Sequence, residues 1–378
     1  MQLDRLLIYV SPVTWKSFKQ RSHEMVAYCR GEGYERIVWI EPYPVRLPSI
    51  WDWRRPRNRS NQLSNQGTVS EKVTITSLPI EPVPGLRAIN SMLWRRNLKK
   101  LNDELAQARD SRLIIGKPSG FALALLNLGV LGGTLYDAMD NFPDFYTGLS
   151  RRYMADLEAK IVTRVDKVLT TTHCIRDRLQ GLSSDIDVVP NGLATDVFSS
   201  ESTSLITERH KESERVVVGY VGTIGRWFDW NLLIAFAQTC PEVEFRIVGP
   251  VFVPWYGILP RNILLMGELQ HADAMNELAR FDIGLIPFMQ NSLTDGVDPI
   301  KYYEYIAFGK PVITTRFGEM QFRNSEDGVI FVDKYSDFKD VLKHSLEVKI
   351  ERDFLTRFRQ QNSWHNRFDS SYLHKFLQ

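Results

Sequence analysis

Short apolar runs alternate with amphipathic stretches along the whole chain. Their periodicity predicts buried strands at residues 6–10, 36–40, 113–115, 133–136, 167–170, 216–221, 243–248, 263–266, 283–287 and 311–314. It predicts helices at residues 16–30, 91–108, 120–128, 150–164, 231–238, 272–280, 299–308, 338–347 and 363–377. Strands that alternate with helices imply parallel βαβ units, so the chain is predicted to be α/β.

One polar segment, residues 199–215, lacks this hydrophobic periodicity, and we place a domain boundary there. The pattern therefore predicts two doubly wound parallel-sheet domains, 1–200 and 201–362. In such sheets, ligands bind beyond the carboxyl ends of the strands. We expect a binding site in the cleft between the two domains.

Composition limits the class of protein without naming a function. The chain has 378 residues, of which 43% are hydrophobic, so two ordinary cores are expected. Its three cysteines form no CxxC pair, which argues against a zinc site or a disulfide framework and favours a reducing compartment. The longest apolar stretch, 121–131, is shorter than the ~20 residues that span a bilayer. A soluble or peripheral protein is expected.

Charge is spread unevenly along the chain. Residues 1–200 carry 27 Lys and Arg against 21 Asp and Glu, a net +6, and residues 201–378 carry 20 against 24, a net −4. The basic half includes two clusters of tryptophan and arginine, at Trp51, Trp53, Arg54 and Arg55 and at Trp94, Arg95 and Arg96. This composition is typical of contact with an anionic membrane surface, although a solvated loop has it too. The acidic second half gives no support to a nucleic-acid-binding module.

The segment 298–313, DPIKYYEYIAFGKPVI, carries the strongest chemical signal. Pro299 suits the first turn of a helix, and Gly309 suits its end. The N–H groups and dipole of a helix N-terminus attract phosphate, and Lys301 adds a cation there. Glu304 lies on the same face, where a carboxylate is able to accept both hydroxyls of a ribose. A surface ion pair between Lys301 and Glu304 is the alternative.

Two further segments follow predicted strands. Glycines at 222 and 225 let backbone N–H groups approach a pyrophosphate closely, and Arg226 would add a charge-assisted contact, although a tight turn has the same pattern. Asp137 and Asp140 stand three apart after the strand at 133–136. A carboxylate there suits a general base for an acceptor hydroxyl, with a cap of the next turn as the alternative.

These motifs resemble those of the GT-B glycosyltransferases, which have two Rossmann-like domains. Residues 304–312 match Glu-x-x-x-x-Gly-Lys-Pro-Val, typical of the donor-binding helix in which the glutamate holds the nucleotide ribose. Residues 222–229, Gly-x-Ile-x-x-Trp-Phe-Asp, and 136–140, Tyr-Asp-x-x-Asp, resemble the subgroup related to the teichuronic acid biosynthesis glycosyltransferases. The second of these aligns with the catalytic-base loop of xanthan glucuronosyltransferase, an inverting enzyme, which implies that Asp140 is the base.

One position departs from the retaining pattern of the related GT4 family. Its members carry a second glutamate eight residues before the first, where this chain has Gly296. A retaining transfer would need Asp295 or Asp298 in its place, so the departure favours inversion. A nucleotide-sugar epimerase of the same fold is a further alternative, although it would act without a separate acceptor.

The resemblance also implies the partners and the site. The donor would be a UDP- or GDP-sugar and the acceptor a glycan or a lipid-pyrophosphate-linked sugar, in bacterial-type surface polysaccharide synthesis at the inner, cytoplasmic face of the cell membrane. No cofactor or metal is expected, because no DxD motif stands in a convincing context. The C-terminal helix, 363–378, would pack back on the first domain. Arg21 would contact the acceptor, and His23 would join Asp137 and Asp140 as a catalytic residue. The predicted donor-binding residues are Gly222, Thr223, Gly225, Arg226, Asp298, Pro299, Lys301 and Glu304.

Overall fold

The computed structural model describes residues 4–17, 19–45, 69–128, 131–194 and 215–378. Contacts divide the chain into two units. Unit 1 comprises Met1–Pro190 with Phe368–Gln378, and unit 2 comprises Asn191–Arg367. The chain thus leaves unit 1 after residue 190, ten residues before the boundary proposed from the sequence, and re-enters it at residue 368.

Seven parallel strands form the sheet of unit 1, in the order β3-β2-β1-β4-β5-β6-β7. They are β1 (Arg5–Val10), β2 (Arg36–Ile40), β3 (Glu71–Val73), β4 (Asp110–Ile115), β5 (Gly133–Ala138), β6 (Lys167–Thr170) and β7 (Ile186–Val188). The helices before residue 190 are α1 (Arg21–Gly31), α2 (Arg87–Gln107), α3 (Gly120–Leu125), α4 (Gly148–Val162) and α5 (His173–Leu179).

Strand β1 shows why this sheet reads as continuous apolar runs. Leu6, Ile8 and Val10 join the main core of unit 1, and Leu7 and Tyr9, which alternate with them, are fully buried as well. Successive side chains of a strand point to opposite faces of the sheet, so both faces of β1 are covered. Such burial is typical of parallel sheets.

Unit 2 holds a six-stranded parallel sheet in the order β10-β9-β8-β11-β12-β13. The strands are β8 (Val217–Val221), β9 (Glu244–Val248), β10 (Ile263–Gly267), β11 (Ile283–Ile286), β12 (Val312–Thr314) and β13 (Val329–Phe331). The helices are α6 (Trp230–Thr239), α7 (His271–Ala279), α8 (Ser292–Asp295), α9 (Ile300–Ala307), α10 (Phe338–Glu347), α11 (Arg352–Gln361) and α12 (Trp364–Asp369), which reaches the junction. Helix α13 (Tyr372–Leu377) then completes unit 1.

The prediction of two all-parallel α/β sheets is confirmed, with local exceptions. The single helix predicted at 363–377 is wrong: α12 ends at Asp369, and the Ser371 side chain accepts a hydrogen bond from the Leu373 amide to begin α13. The helix predicted from residue 16 begins only at Arg21, because Gln20 and His23 form a capping box there.

Candidate active site

The order of the strands in unit 2 reverses between β8 and β11. Strand β8 pairs with β9 on one side and β11 on the other, so the chain fills the sheet outward in both directions from this pair. Ligands of such sheets bind beyond the carboxyl ends of the strands at this switch point. The residues that follow β8 therefore occupy the position expected of a ligand site.

The turn after β8 begins at Gly222 and packs against Gly249, which follows β9. Gly222 has φ +146°, and a Cβ there would lie 2.2 Å from Lys301 Cε. Gly249 has φ +136°, and a Cβ there would lie 2.1 Å from the Gly222 carbonyl oxygen. Only glycine fits such contacts, so the lysine side chain lies directly against the backbone of the turn. The sequence-predicted Gly222 and Lys301 are thus brought together.

Lys301 and Glu304 occupy one face of α9, three residues apart, and both are partly buried. The Lys301 ammonium lies 5.5 Å from the centre of the Tyr220 ring and 5.7 Å from that of Phe288, a cation–π arrangement. Burial lowers the pKa of Lys301, and the neighbouring Glu304 raises it. Neither charged group has a hydrogen-bond partner among the described residues, so both are available to a ligand.

Burial raises the pKa of the Glu304 carboxyl, whereas Lys301 and, more weakly, His271 lower it. His271 is the first residue of α7, and it was not among the predicted site residues. A histidine at the start of an amphipathic helix has no distinguishing pattern. Only the fold shows that it lies close enough to influence Glu304.

Asp298 was predicted to bind the donor, and in the structure its carboxylate takes part in a buried hydrogen-bond network. Its carboxylate accepts hydrogen bonds from the Asn191 amide at 2.7 Å, the Tyr303 hydroxyl at 2.8 Å and the Arg323 guanidinium at 3.0 Å. The side chain is 0% exposed. These donors occupy both carboxylate oxygens, so Asp298 ties Asn191 to the start of α9.

The other predicted donor residues lie around the turn and the helix start. Pro299 has an extended backbone and precedes α9, which begins at Ile300, so its expected place in the first turn is wrong. A Cβ at Gly225 would lie 2.6 Å from the Trp227 ring, so this glycine accommodates that ring. Thr223 is partly buried and Arg226 is exposed. A direct contact of these four residues with a donor stays a prediction.

In unit 1, Asp137 and Arg21 form a buried ion pair. The Asp137 oxygens accept from Arg21 Nε at 2.9 and 3.1 Å and from Arg21 Nη2 at 2.8 Å. Arg21 Nη1 also donates to the carbonyl oxygens of Val189 and Pro190. The side chains are 3% and 0% exposed. The ion pair ties the end of β5 to the start of α1, and the acceptor-side role of Arg21 and the catalytic role of Asp137 stay predictions.

Asp140 stands in the loop between β5 and the 3₁₀ turn at Phe142–Phe145, and it is partly exposed. Its carboxylate has no hydrogen-bond partner among the described residues. Burial, followed by the charge of Asp137, raises the pKa of Asp140 to about 7, and Arg21 lowers it. A carboxyl with a pKa near neutrality is suited to general-base chemistry.

His23 was predicted to be catalytic, and it lies instead inside the fold. It is 2% exposed, and its ring centre lies 5.1 Å from those of Trp15 and Trp39, with the rings tilted by 41° and 34°. Its Nδ1 accepts from the Gln20 amide at 3.4 Å and its Nε2 lies 3.2 Å from the Trp15 carbonyl oxygen. Burial lowers its pKa. The imidazole therefore caps the start of α1 and packs in an aromatic cluster.

The residues of the two tryptophan and arginine clusters do not all form one surface, as the membrane-contact prediction assumed. Trp94 is 4% exposed and packs against Tyr43 and Phe121, so it belongs to the core and not to a membrane-facing surface. Arg95 and Arg96 are exposed on α2. The predicted residues Trp51, Trp53, Arg54 and Arg55 lie outside the described residues.

Comparison with known proteins places this geometry in context. No family model matches the chain. It is 23% identical over 331 residues to the Bacillus subtilis (strain 168) protein named as the teichuronic acid biosynthesis glycosyltransferase TuaH, covering 82% of this chain and 80% of that one. Sucrose-phosphate synthase of Thermosynechococcus elongatus is similar in structure, with a TM-score of 0.68, 12% identity and 99% of each chain covered. The UDP-forming α,α-trehalose-phosphate synthase of Burkholderia xenovorans gives a TM-score of 0.61 and 12% identity over 99% of this chain and 100% of that one.

The chain is a glycosyltransferase with the GT-B fold. The structural likeness supplies the fold, and the sequence likeness to TuaH supplies the enzyme class. Within the described ranges, no three His, Cys, Asp or Glu residues are grouped so that they could hold a metal ion. None of the helices described is long and apolar enough to cross a membrane.

Proposed function

We propose that this glycosyltransferase moves a sugar from a nucleoside-diphosphate donor, bound by unit 2, to an acceptor hydroxyl that Asp140 of unit 1 deprotonates. The observation that carries the proposal is the state of two carboxylates. Glu304 and Asp140 are both partly buried, have raised pKa values and lack hydrogen-bond partners among the described residues. A ribose and an acceptor hydroxyl would supply the missing donors.

The donor half of the proposal rests on charge. A leaving nucleoside diphosphate gains negative charge in the transition state, and fixed positive groups stabilise it. Lys301, which lies on α9 and packs against the Gly222 turn, would provide that charge together with the N-terminus of α9. A metal ion would not be required. Glu304, on the same face of α9, would accept the ribose hydroxyls. UDP is the favoured leaving group, given the UDP-forming relative.

The catalytic half favours inversion at the anomeric carbon. Direct displacement needs one general base for the acceptor hydroxyl, and a pKa near 7 gives Asp140 a useful ionised fraction at neutral pH. A retaining enzyme would need Asp295 or Asp298 in place of the absent glutamate. Three hydrogen-bond donors already occupy Asp298, and Asp295 is exposed at the end of α8.

A nucleotide screen tests the donor half. We expect one of UDP, GDP, CDP and TDP to raise the melting temperature, with or without Mg²⁺, since a ligand at ~100 Kd adds about 2.7 kcal/mol to the folded state. Glu304→Ala should lose most of this shift, because it removes the ribose acceptor. Glu326→Ala, an exposed glutamate of the same unit, is the matched control. A shift that is equal in both variants would contradict the role of Glu304.

Product analysis tests the catalytic half. With the donor identified, a panel of glycan and lipid-pyrophosphate-linked acceptors is incubated with the enzyme, and NMR gives the anomeric configuration of the product. An anomer opposite to that of the donor is expected. A retained configuration would reject Asp140 as the base of a direct displacement.

We also propose that unit 1 contacts an anionic membrane surface through α2. Its exposed residues combine the apolar Ile89, Met92 and Leu93 with the basic Arg95 and Arg96. Each basic residue near an anionic surface contributes ~1 kcal/mol. We expect co-sedimentation with phosphatidylglycerol vesicles, about tenfold weaker or more in Arg95→Glu/Arg96→Glu and absent with phosphatidylcholine. Equal binding of wild type and variant would locate the contact elsewhere. Such a contact would place a lipid-linked acceptor for surface polysaccharide synthesis at the enzyme.

A further inference from the structure

Unit 2 carries an exposed apolar surface that no part of the proposed reaction uses. It is formed by edge strand β10 and by the segment that precedes it, and we call it the β10 patch. Its six main side chains are Phe252, Tyr256, Ile258, Leu264, Leu265 and Met266. Tyr256 and Ile258 are 94% and 97% exposed, and the other four are 39–59% exposed.

The patch exists because one crossover lacks a helix. Parallel strands are usually joined through a helix that covers a face of the sheet. Helix α6 joins β8 to β9 and α7 joins β10 to β11, whereas residues 249–262, between β9 and β10, contain no helix. Leu264 and Leu265 are neighbours in the strand and point to opposite faces. Both are 40% exposed or more, so beyond the buried Ile263 each face of β10 is partly open.

This segment is held in place at both ends. The Ile224 carbonyl oxygen accepts from the Phe252 amide at 2.9 Å, and Trp230 Nε1 donates to the Val253 carbonyl oxygen at 2.9 Å. At the other end, the Asn262 side chain donates to the carbonyl oxygens of Ala237, Cys240 and Val243. The hydrogen bonds at both ends therefore fix the backbone that carries the exposed side chains between them, as is typical of an interface.

The charge of the patch selects the partner. Between residues 249 and 267, Arg261 is the only Lys, Arg, Asp or Glu, and the half of the chain from residue 201 onward has a net charge of −4. An anionic membrane has nothing to attract it here, in contrast to the exposed face of α2. A surface with so little charge suits a two-fold contact, because a charged group near the axis would face its own copy.

The geometry and the size of the patch fit a second copy of this chain. Within the part of the chain that the structure describes, β10 pairs with β9 alone, so no described strand occupies its outer backbone edge. The six side chains expose on the order of 700 Å², close to the ~800 Å² that each partner contributes to an interface of standard size. We propose that two copies associate through the β10 patch about a two-fold axis, with their β10 strands adjacent.

Sedimentation of the full-length protein tests the proposal. We expect twice the 43.7 kDa mass of one chain at micromolar concentration. Ile258→Asp/Leu265→Asp should sediment as a single chain, with the dimer Kd raised at least 100-fold. Tyr335→Asp changes another exposed aromatic residue of unit 2, which is 84% exposed, and should remain dimeric. Matching thermal melts of the two variants in dilute solution would exclude misfolding.

Two results would overturn the proposal. One is a wild-type protein that stays monomeric at 100 µM. If that monomer also bound phosphatidylcholine vesicles through Ile258, the partner of the patch would be a bilayer. The other is a dimer that persists in Ile258→Asp/Leu265→Asp. Neither result bears on the donor site, so the proposed reaction and the proposed dimer fail separately.

Discussion

Each unit holds a buried aspartate–arginine pair a few residues from a carboxylate that lacks a hydrogen-bond partner among the described residues. In unit 1, Arg21 binds Asp137, and Asp140 follows three residues later. In unit 2, Arg323 binds Asp298, and Glu304 follows six residues later. Arginine occupies the first carboxylate in each case, joined at Asp298 by the Asn191 amide and the Tyr303 hydroxyl. The second carboxylate is left for a ligand.

The two available carboxylates differ in their electrostatic surroundings. Asp140 has Asp137 as the nearer influence, which adds to the effect of burial and raises the pKa to about 7. Glu304 has Lys301 beside it, which opposes the effect of burial on its pKa. The first environment suits proton uptake, and the second suits an ionised hydrogen-bond acceptor. Charge placement, rather than residue type, thus distinguishes the proposed base from the proposed binding group.

The largest expected effect follows from removing the base. Asp140→Asn keeps the size of the side chain and cannot take up a proton, so we expect the transfer rate to fall by about 10²–10⁴. Nucleotide affinity, measured by calorimetry, should change less than twofold, because the proposed donor site lies in unit 2. Asp156→Asn, an exposed carboxylate of α4, is the control. A rate within fivefold of wild type would assign the base to another residue.

The occupied carboxylates should instead govern stability. Asp298→Ala leaves the Arg323 guanidinium buried without its partner, and breaking such a pair costs about 3–5 kcal/mol. Asp295→Ala removes an exposed aspartate three residues earlier and should change the free energy of unfolding by less than about 0.5 kcal/mol. Urea denaturation measures both. If the two variants were equally stable, Asp298 would not have the role that its hydrogen bonds indicate.

The smallest expected effect is a pH dependence of about tenfold per unit. Because Asp140 must be ionised to accept a proton, kcat/KM should fall tenfold per unit below pH 7 and level off above it. The folded state holds the Asp140 proton more tightly than the unfolded state does. The free energy of unfolding contributed by Asp140 therefore falls as pH rises from 3.8 to about 7, and then stays constant. Asp140→Asn should remove that fall, and an unchanged difference between wild type and variant across this range would contradict the raised pKa.

The sequence predicted the architecture well because both sheets are parallel and their central strands are buried on both faces. Apolar runs such as 6–10 and 216–221 mark such strands directly. Short edge strands, such as Glu71–Val73, carry too few apolar residues to stand out. The break at Ser370 and Ser371 was missed because an amphipathic pattern continues across it.

The candidate site was harder to predict, since residue type does not show which partner a charged group finds. Asp137 and Asp140 look equivalent in the sequence, and so do Asp298 and Glu304. Their difference depends on Arg21 and Arg323, which are 116 and 25 residues from the aspartates they bind. His23 likewise looked functional until the fold placed it between Trp15 and Trp39.

The late return of the chain to unit 1 has a consequence for its synthesis. The last eleven residues belong to unit 1, where Leu373 and Leu377 are buried and Arg112 donates to the Phe376 carbonyl oxygen at 2.8 Å. A ribosome makes the whole of unit 2 before it makes this segment. Although domains usually fold from the N-terminus during translation, the first unit to be synthesised here is the last to reach its final packing. Loss of a few C-terminal residues would damage the unit that was made first.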